Sequence, residues 1–134
     1  MEYVQTREEL ITAVKIPFAA AFPGVALVFD NAPFDWNNPP ERYVCFEIEE
    51  VDGGPIGMRA QPKTRTSGFV YVEAHIKLGL GSKWCAQIRD WFAETLQYKT
   101  FGRAQVQEAK SDGKTETKGY YIESLKLPYY VDPA

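Results

Sequence analysis

Two stretches of strict alternation constrain this chain more than anything else in it. In "RYVCFEIEEV", Arg42 to Val51, the residues Val44, Phe46 and Ile48 fall on one face and Tyr43, Cys45, Glu47 and Glu49 on the other. After Gly68, in "FVYVEAHIKL", Val70, Val72, Ala74, Ile76 and Leu78 fall on one side, with Tyr71, Glu73, His75 and Lys77 opposite. A period of two with one apolar face marks a half-buried strand. A sheet with one apolar face needs a cover.

The sequence supplies two candidates for that cover. Thr6 and Glu9 have capping-box spacing, and Leu10, Ile11, Val14, Phe18, Ala21 and Phe22 recur on one helical face, which predicts a helix from Thr6 to about Phe22. Pro17 lacks a backbone N–H and crowds the carbonyl four residues back, so a kink or break is expected there, and Pro23-Gly24 ends the helix. Ser82 reads as an N-cap before the stripe Trp84, Cys85, Ile88, Trp91, Phe92, Thr95 and Leu96, which predicts a second helix from Ser82 to about Tyr98. Gly79 and Gly81 end the strand before it.

Three further strands are expected. "VALVFD", Val25 to Asp30, is a short buried one. "RAQVQEAK" and "KGYYIESLKLPYYV" form two more, joined by a turn at Ser111-Asp112-Gly113-Lys114, with Pro128 moving the second to an edge or out of the sheet. The expected fold is α+β: a mostly antiparallel sheet of about five strands with two helices packed on one face. Residues 1–134 are expected to make one domain, since 45% hydrophobic content fills one core without metals or disulfide staples.

Composition excludes some roles. Fifteen basic against 18 acidic residues, a net charge of −3, give no general attraction for nucleic acid. Cys45 and Cys85 lie 40 residues apart, neither in a CxxC pair nor near a histidine in sequence, which argues against zinc and for buried free thiols. "MEYVQTREEL" has no basic start followed by an apolar core, and no apolar run approaches the roughly 20 residues of a membrane span. A protein that stays in a reducing cytoplasm, away from membranes, is expected.

Catalytic chemistry finds little purchase. The only histidine, His75, sits on the outward strand face beside Glu73 and Lys77 and reads as a surface histidine. A serine or cysteine nucleophile would need that histidine. Asp30, Asn31 and Asp35 suit turn chemistry, and Glu47, Glu49, Glu50 and Asp52 match no calcium loop, reading instead as a solvated strand face. "GLGS" lacks the rest of any phosphate-binding pattern. No enzyme activity, cofactor, catalytic residue or metal ligand is expected.

Two stretches point outward. "VFDNAPFDWNNPP" hangs Phe34 and Trp36 on a loop with no helix to carry them, so the segment either packs down locally or meets a partner. "MRAQPKTRTSG" gathers Arg59, Lys63 and Arg65 without an acid. With Tyr71 just beyond as a stacking platform, those charges fit a small single-stranded nucleic-acid-binding module, or equally a loop that contacts a protein partner.

A helix, a strand ending in "FDNAPFD", a strand after a proline-bearing loop, then "SGFVYVEAHIKLGLG", an amphipathic helix and a closing "GYYIESLKLPYY" together resemble the tail terminator or tail completion proteins of long-tailed bacteriophages, of the lambdoid minor tail protein type. The likeness covers nearly the whole chain and rests on element order and local signatures. It implies a non-enzymatic α+β subunit of a phage or prophage. Such a subunit assembles in the bacterial host cytoplasm as a homo-hexameric ring on the virion tail. The ring ends growth of the tail tube protein and faces the head-side connector. On that reading Phe34 and Trp36 belong to the neighbour contact or the packing beneath it, and Arg59, Lys63 and Arg65 reach toward the tube or an adjacent ring. Glu47 and Glu49 suit a lumen through which DNA slides without specific binding.

Overall fold

A computed structural model describes the backbone of residues 2–30, 32–51, 55–56, 63–64 and 66–131, and the side chains of residues 4–30, 32–51 and 66–131. The described elements run α1 (Glu2–Ala21), β1 (Ala26–Phe29), β2 (Arg42–Val51), β3 (Pro55–Ile56), β4 (Lys63–Thr64), β5 (Thr66–Lys77), α2 (Lys83–Leu96), β6 (Thr100–Phe101), β7 (Ala104–Val106), β8 (Lys110–Thr117) and β9 (Tyr120–Val131). Seven of the strands form one sheet in the order β1-β2-β5-β9-β7-β6, with β8 also beside β9, and β3 pairs with β4 apart from it.

The two alternating segments become adjacent antiparallel strands, with Val44 opposite Ala74, Phe46 opposite Val72 and Ile48 opposite Val70. β9 continues the same face through Leu125 and Leu127. Leu10, Val14 and Phe18 of α1 and Cys85, Ile88, Phe92 and Leu96 of α2 bury against this face in one cluster, so both helices cover it. The fold is α+β and mostly antiparallel as expected, with seven described strands in the sheet where about five were expected and one parallel pair, β1 with β2. The twelve-residue connection between those two strands is long enough to carry the chain back for parallel pairing.

Several local expectations give way to packing. α1 begins at Glu2, so Thr6 lies inside the helix and buried rather than at its cap. Pro17 does not end it: beyond the proline, Phe18 meets Trp91 and Phe92 at 5.5 Å each, and that burial offsets the missing hydrogen bond. Ser82 holds the N-cap position of α2 without a side-chain capping bond. Leu78 falls beyond the end of β5 and is exposed instead of core.

The C-terminal half departs furthest. The expected turn at Ser111–Lys114 is part of β8, where a bulge lies between Ser111 and Gly113. The hairpin instead turns at Lys118-Gly119, both at positive φ (51° and 82°), the requirement of a tight two-residue turn that follows the strand twist. Pro128 lies within β9, between β5 and the β7/β8 side, not at an edge. Its carbonyl accepts from Gln107 N–H at 2.7 Å on the β7/β8 side, in the gap between those two strands. The missing N–H points into the same gap, so the ladder to β5 survives.

Candidate functional site

The face of the sheet away from the helices was expected to be solvated, and half of it is not. Cross-strand register places Tyr43 opposite His75 and His75 opposite Ile122, with Cys45 opposite Glu73 in the next row. Tyr43, Val28, Tyr120 and Ile122 are buried there as a second, smaller cluster, with Phe34 and Cys45 packed against it. The cover is the loop from Ala32 to Glu41. Phe34 sits 5.1 Å from Tyr43, and the Tyr120 hydroxyl donates to the carbonyls of Pro40 (2.7 Å) and Pro39 (3.2 Å), tying the loop down.

Phe34 is partly buried and packs against this second cluster. Trp36 meets Phe34 edge-on at 4.6 Å and Tyr43 at 6.1 Å, yet stays 60% exposed. An Asp35 carboxylate oxygen accepts from Asn37 N–H at 3.1 Å, the turn role expected for that aspartate. Asp30 instead pairs with Arg7 of α1.

The loop forms one corner of a stitched end of the molecule. Lys77 N–H donates to Glu41 O and Leu78 N–H to Gly119 O, each at 2.9 Å, so the loop, the β5–α2 turn and the β8–β9 turn are joined by backbone hydrogen bonds. Trp36, Asn38, Pro39, Tyr43, His75 and Lys118 line a recess of about 700 Å³ there. Leu78 and Leu80 stand exposed on the middle turn. Trp36, Leu78 and Leu80 thus sit on a surface held in place by three connected loops.

His75 is buried rather than a surface residue, because the loop and Tyr43 cover its strand face. Its ring stacks on Tyr43 at 4.4 Å and 16°, and its Nε2 lies 3.3 Å from a Glu73 carboxylate oxygen. That hydrogen bond lowers the Glu73 pKa against the opposing effect of burial. Burial, then the charges of Glu73 and Glu47, push the Cys45 thiol up to about 12, and burial first pushes Tyr43 up to about 12 as well. Cys45 therefore keeps its proton at neutral pH and is poorly suited to nucleophilic attack. The sequence missed this cluster because Cys45 is 28 and 30 positions from Glu73 and His75 and only the β2–β5 register joins them.

Glu47 and Glu49 are exposed on the same face, toward the other end of β2. Tyr71 stands opposite Glu47, and its hydroxyl donates to a Glu49 carboxylate oxygen at 3.5 Å. Phe69 lies 5.9 Å from Tyr71, with the Lys126 ammonium 5.2 Å above its ring. Of the basic stretch, Lys63 pairs with Ile56 in the β3–β4 ladder, while Arg59 and Arg65 lie outside the described residues. No described helix is long and apolar enough to cross a membrane.

No protein-family model matches the chain, and no curated protein does. Sixteen solved chains match it. One of them aligns over 100% of this chain and 98% of its own, with a TM-score of 0.76 and 15% sequence identity. At that identity the likeness shows a shared fold and nothing of function.

Proposed function

We propose that this chain is a structural, non-enzymatic tail terminator of a long-tailed phage or prophage. Its subunits close into a hexameric ring on the tail tube, end polymerisation of the tube protein and contribute to the surface that receives the head-side connector. The observation that carries this reading is the stitched end bearing Trp36, Leu78 and Leu80. An exposed tryptophan on a fixed aromatic base, near exposed leucines on a hydrogen-bonded turn, is the kind of anchor that heterologous subunit contacts use. Phe34 holds the anchor in place, and Trp36 makes the neighbour contact. Glu47 and Glu49 line the lumen, and Arg59, Lys63 and Arg65 supply a contact to the tube or an adjacent ring.

A single-stranded nucleic-acid module is the second reading, favoured by Phe69 and Tyr71 beside Lys126. Glu47 opposite Tyr71 and Glu49 on its hydroxyl weigh against it, since both carboxylates repel a phosphate backbone. Sedimentation of the wild type beside Trp36→Ala and Leu78→Asp distinguishes the two. The ring reading expects both variants to lose self-association while melting close to the wild type. Unaltered association in both, or tight and strongly salt-dependent binding of an oligonucleotide by a monomer, would sink it.

A further inference from the structure

We propose that Cys45, Glu73 and His75 form a binding site for a divalent transition metal, zinc foremost, on the face of the sheet opposite the helices. One sulfur, one carboxylate oxygen and one ring nitrogen lie within 4.8 Å of one another. They come from adjacent strands held in continuous register, Cys45 directly opposite Glu73 and His75 two residues along β5 on the same face.

The spacing suits the ion. Tetrahedral zinc, with bonds of about 2.0–2.3 Å, sets its ligand atoms about 3.3–3.6 Å apart. His75 Nε2 and the Glu73 oxygen are 3.3 Å apart already, so the pair stands at ligand separation. The remaining adjustment falls to the Cys45 side chain, where rotation about one bond moves Sγ by roughly 1 Å or more. The His75 ring is already fixed, stacked on Tyr43 and met at its edge by Tyr120 at 6.4 Å. A held imidazole loses little entropy on ligation.

The donor set also selects the metal. A thiolate, an imidazole and a carboxylate together favour zinc or cobalt over magnesium or calcium, which take oxygen ligands. As the metal–sulfur bond forms, the Cys45 proton passes to solvent, and thiolate plus carboxylate then neutralise the two charges of the cation. The carboxylates of Glu73 and Glu47, which line the same recess as Cys45, attract a cation to it. Three protein ligands leave a fourth position. Cys45, Glu73, Glu47 and Asp30 line a recess of about 590 Å³ that gives water room to occupy it. The site does not depend on the ring reading.

Cobalt is the probe, titrated into the reduced, metal-free full-length protein without oxygen. The expected result is saturation at one equivalent, with intense tetrahedral visible bands and a thiolate-to-cobalt charge-transfer band, both bleached by added zinc. Cys45→Ser removes the charge-transfer band, Glu73→Gln weakens binding by at least about tenfold, and Cys85→Ala, made in the helix-covered core, leaves the spectrum unchanged. Thermal melting without metal checks that each variant folds. Weak octahedral bands alone, or a charge-transfer band that survives in folded Cys45→Ser, overturn the site.

Discussion

Phe34 and Trp36 are two residues apart and do different work. Phe34 is half buried on Tyr43, so Phe34→Ala removes packing and is expected to cost about 2 kcal/mol, less than a fully buried phenylalanine, in denaturant unfolding. Trp36→Ala is expected to cost about 1 kcal/mol or less, because most of the ring is already in water. Equal losses for the two would mean that both are core. The sequence brought these aromatics to attention but could not divide them, since the surface under the loop is completed by Tyr120 and Ile122 of β9, far along the chain. Cys85 gives a residue-scale test of pH. Burial raises its thiol from an ordinary 9.0 to about 11, and its Sγ donates to Ala74 O at 3.5 Å. The unfolded chain therefore releases this proton first. The thiol's share of stability is intact below pH 9 and is lost as pH rises toward 11, whereas Cys85→Ala flattens that part of the profile. An alkaline profile identical in the variant would refute this assignment.

At the scale of elements, α2 is fixed on β9 by an ion pair that periodicity does not announce. Glu123 lies on the helix-covered face with its side chain 4% exposed, and Arg89 Nη1 meets its carboxylate at 3.0 Å. Arg89 Nε, also buried, has no hydrogen-bond partner among the described residues. Arg89→Met strands a buried carboxylate and is expected to cost about 3–5 kcal/mol, while adding Glu123→Leu recovers most of the loss in a double-mutant cycle of unfolding free energies. A second full-size loss from the double variant would mean that the pair does not act as a unit. Gly68 lies inside β5, two residues from its start, because a Cβ there would collide with the Glu49 carbonyl and the Tyr129 ring that crosses it. Gly68→Ala is expected to lower the melting temperature by several degrees, about 1–3 kcal/mol. The alternating strands and the α2 stripe were legible because each carries its own period. β8 was not, since "KSDGKTET" is exposed at every position and its strand character comes from pairing with β9. Asp112-Gly113 imitates a hairpin turn, and the actual turn at Lys118-Gly119 carries a lysine where glycine or asparagine is usual.

For the whole molecule, the sequence indicated the α+β class and the shared helix-covered core, because those follow from faces. It left the strand order open. The parallel β1–β2 pair and the placement of β7 and β8 on one side of β9 depend on long-range pairing. The buried histidine cluster escaped for the same reason: "His75 beside Cys45" is a statement about register. In the proposed ring the stitched end meets the neighbour and the acidic end of β2 faces the lumen. Glu47→Ala combined with Glu49→Ala is therefore expected to leave the assembled mass unchanged, and failure to assemble would remove those carboxylates from the lumen. The most direct test of the ring itself is the molar mass of the purified protein by light scattering over a wide concentration range, with electron microscopy of the same samples. Closed rings of about six subunits, gaining population with concentration, are the predicted result. A monomer at every concentration, with no rings in the images, would contradict the account.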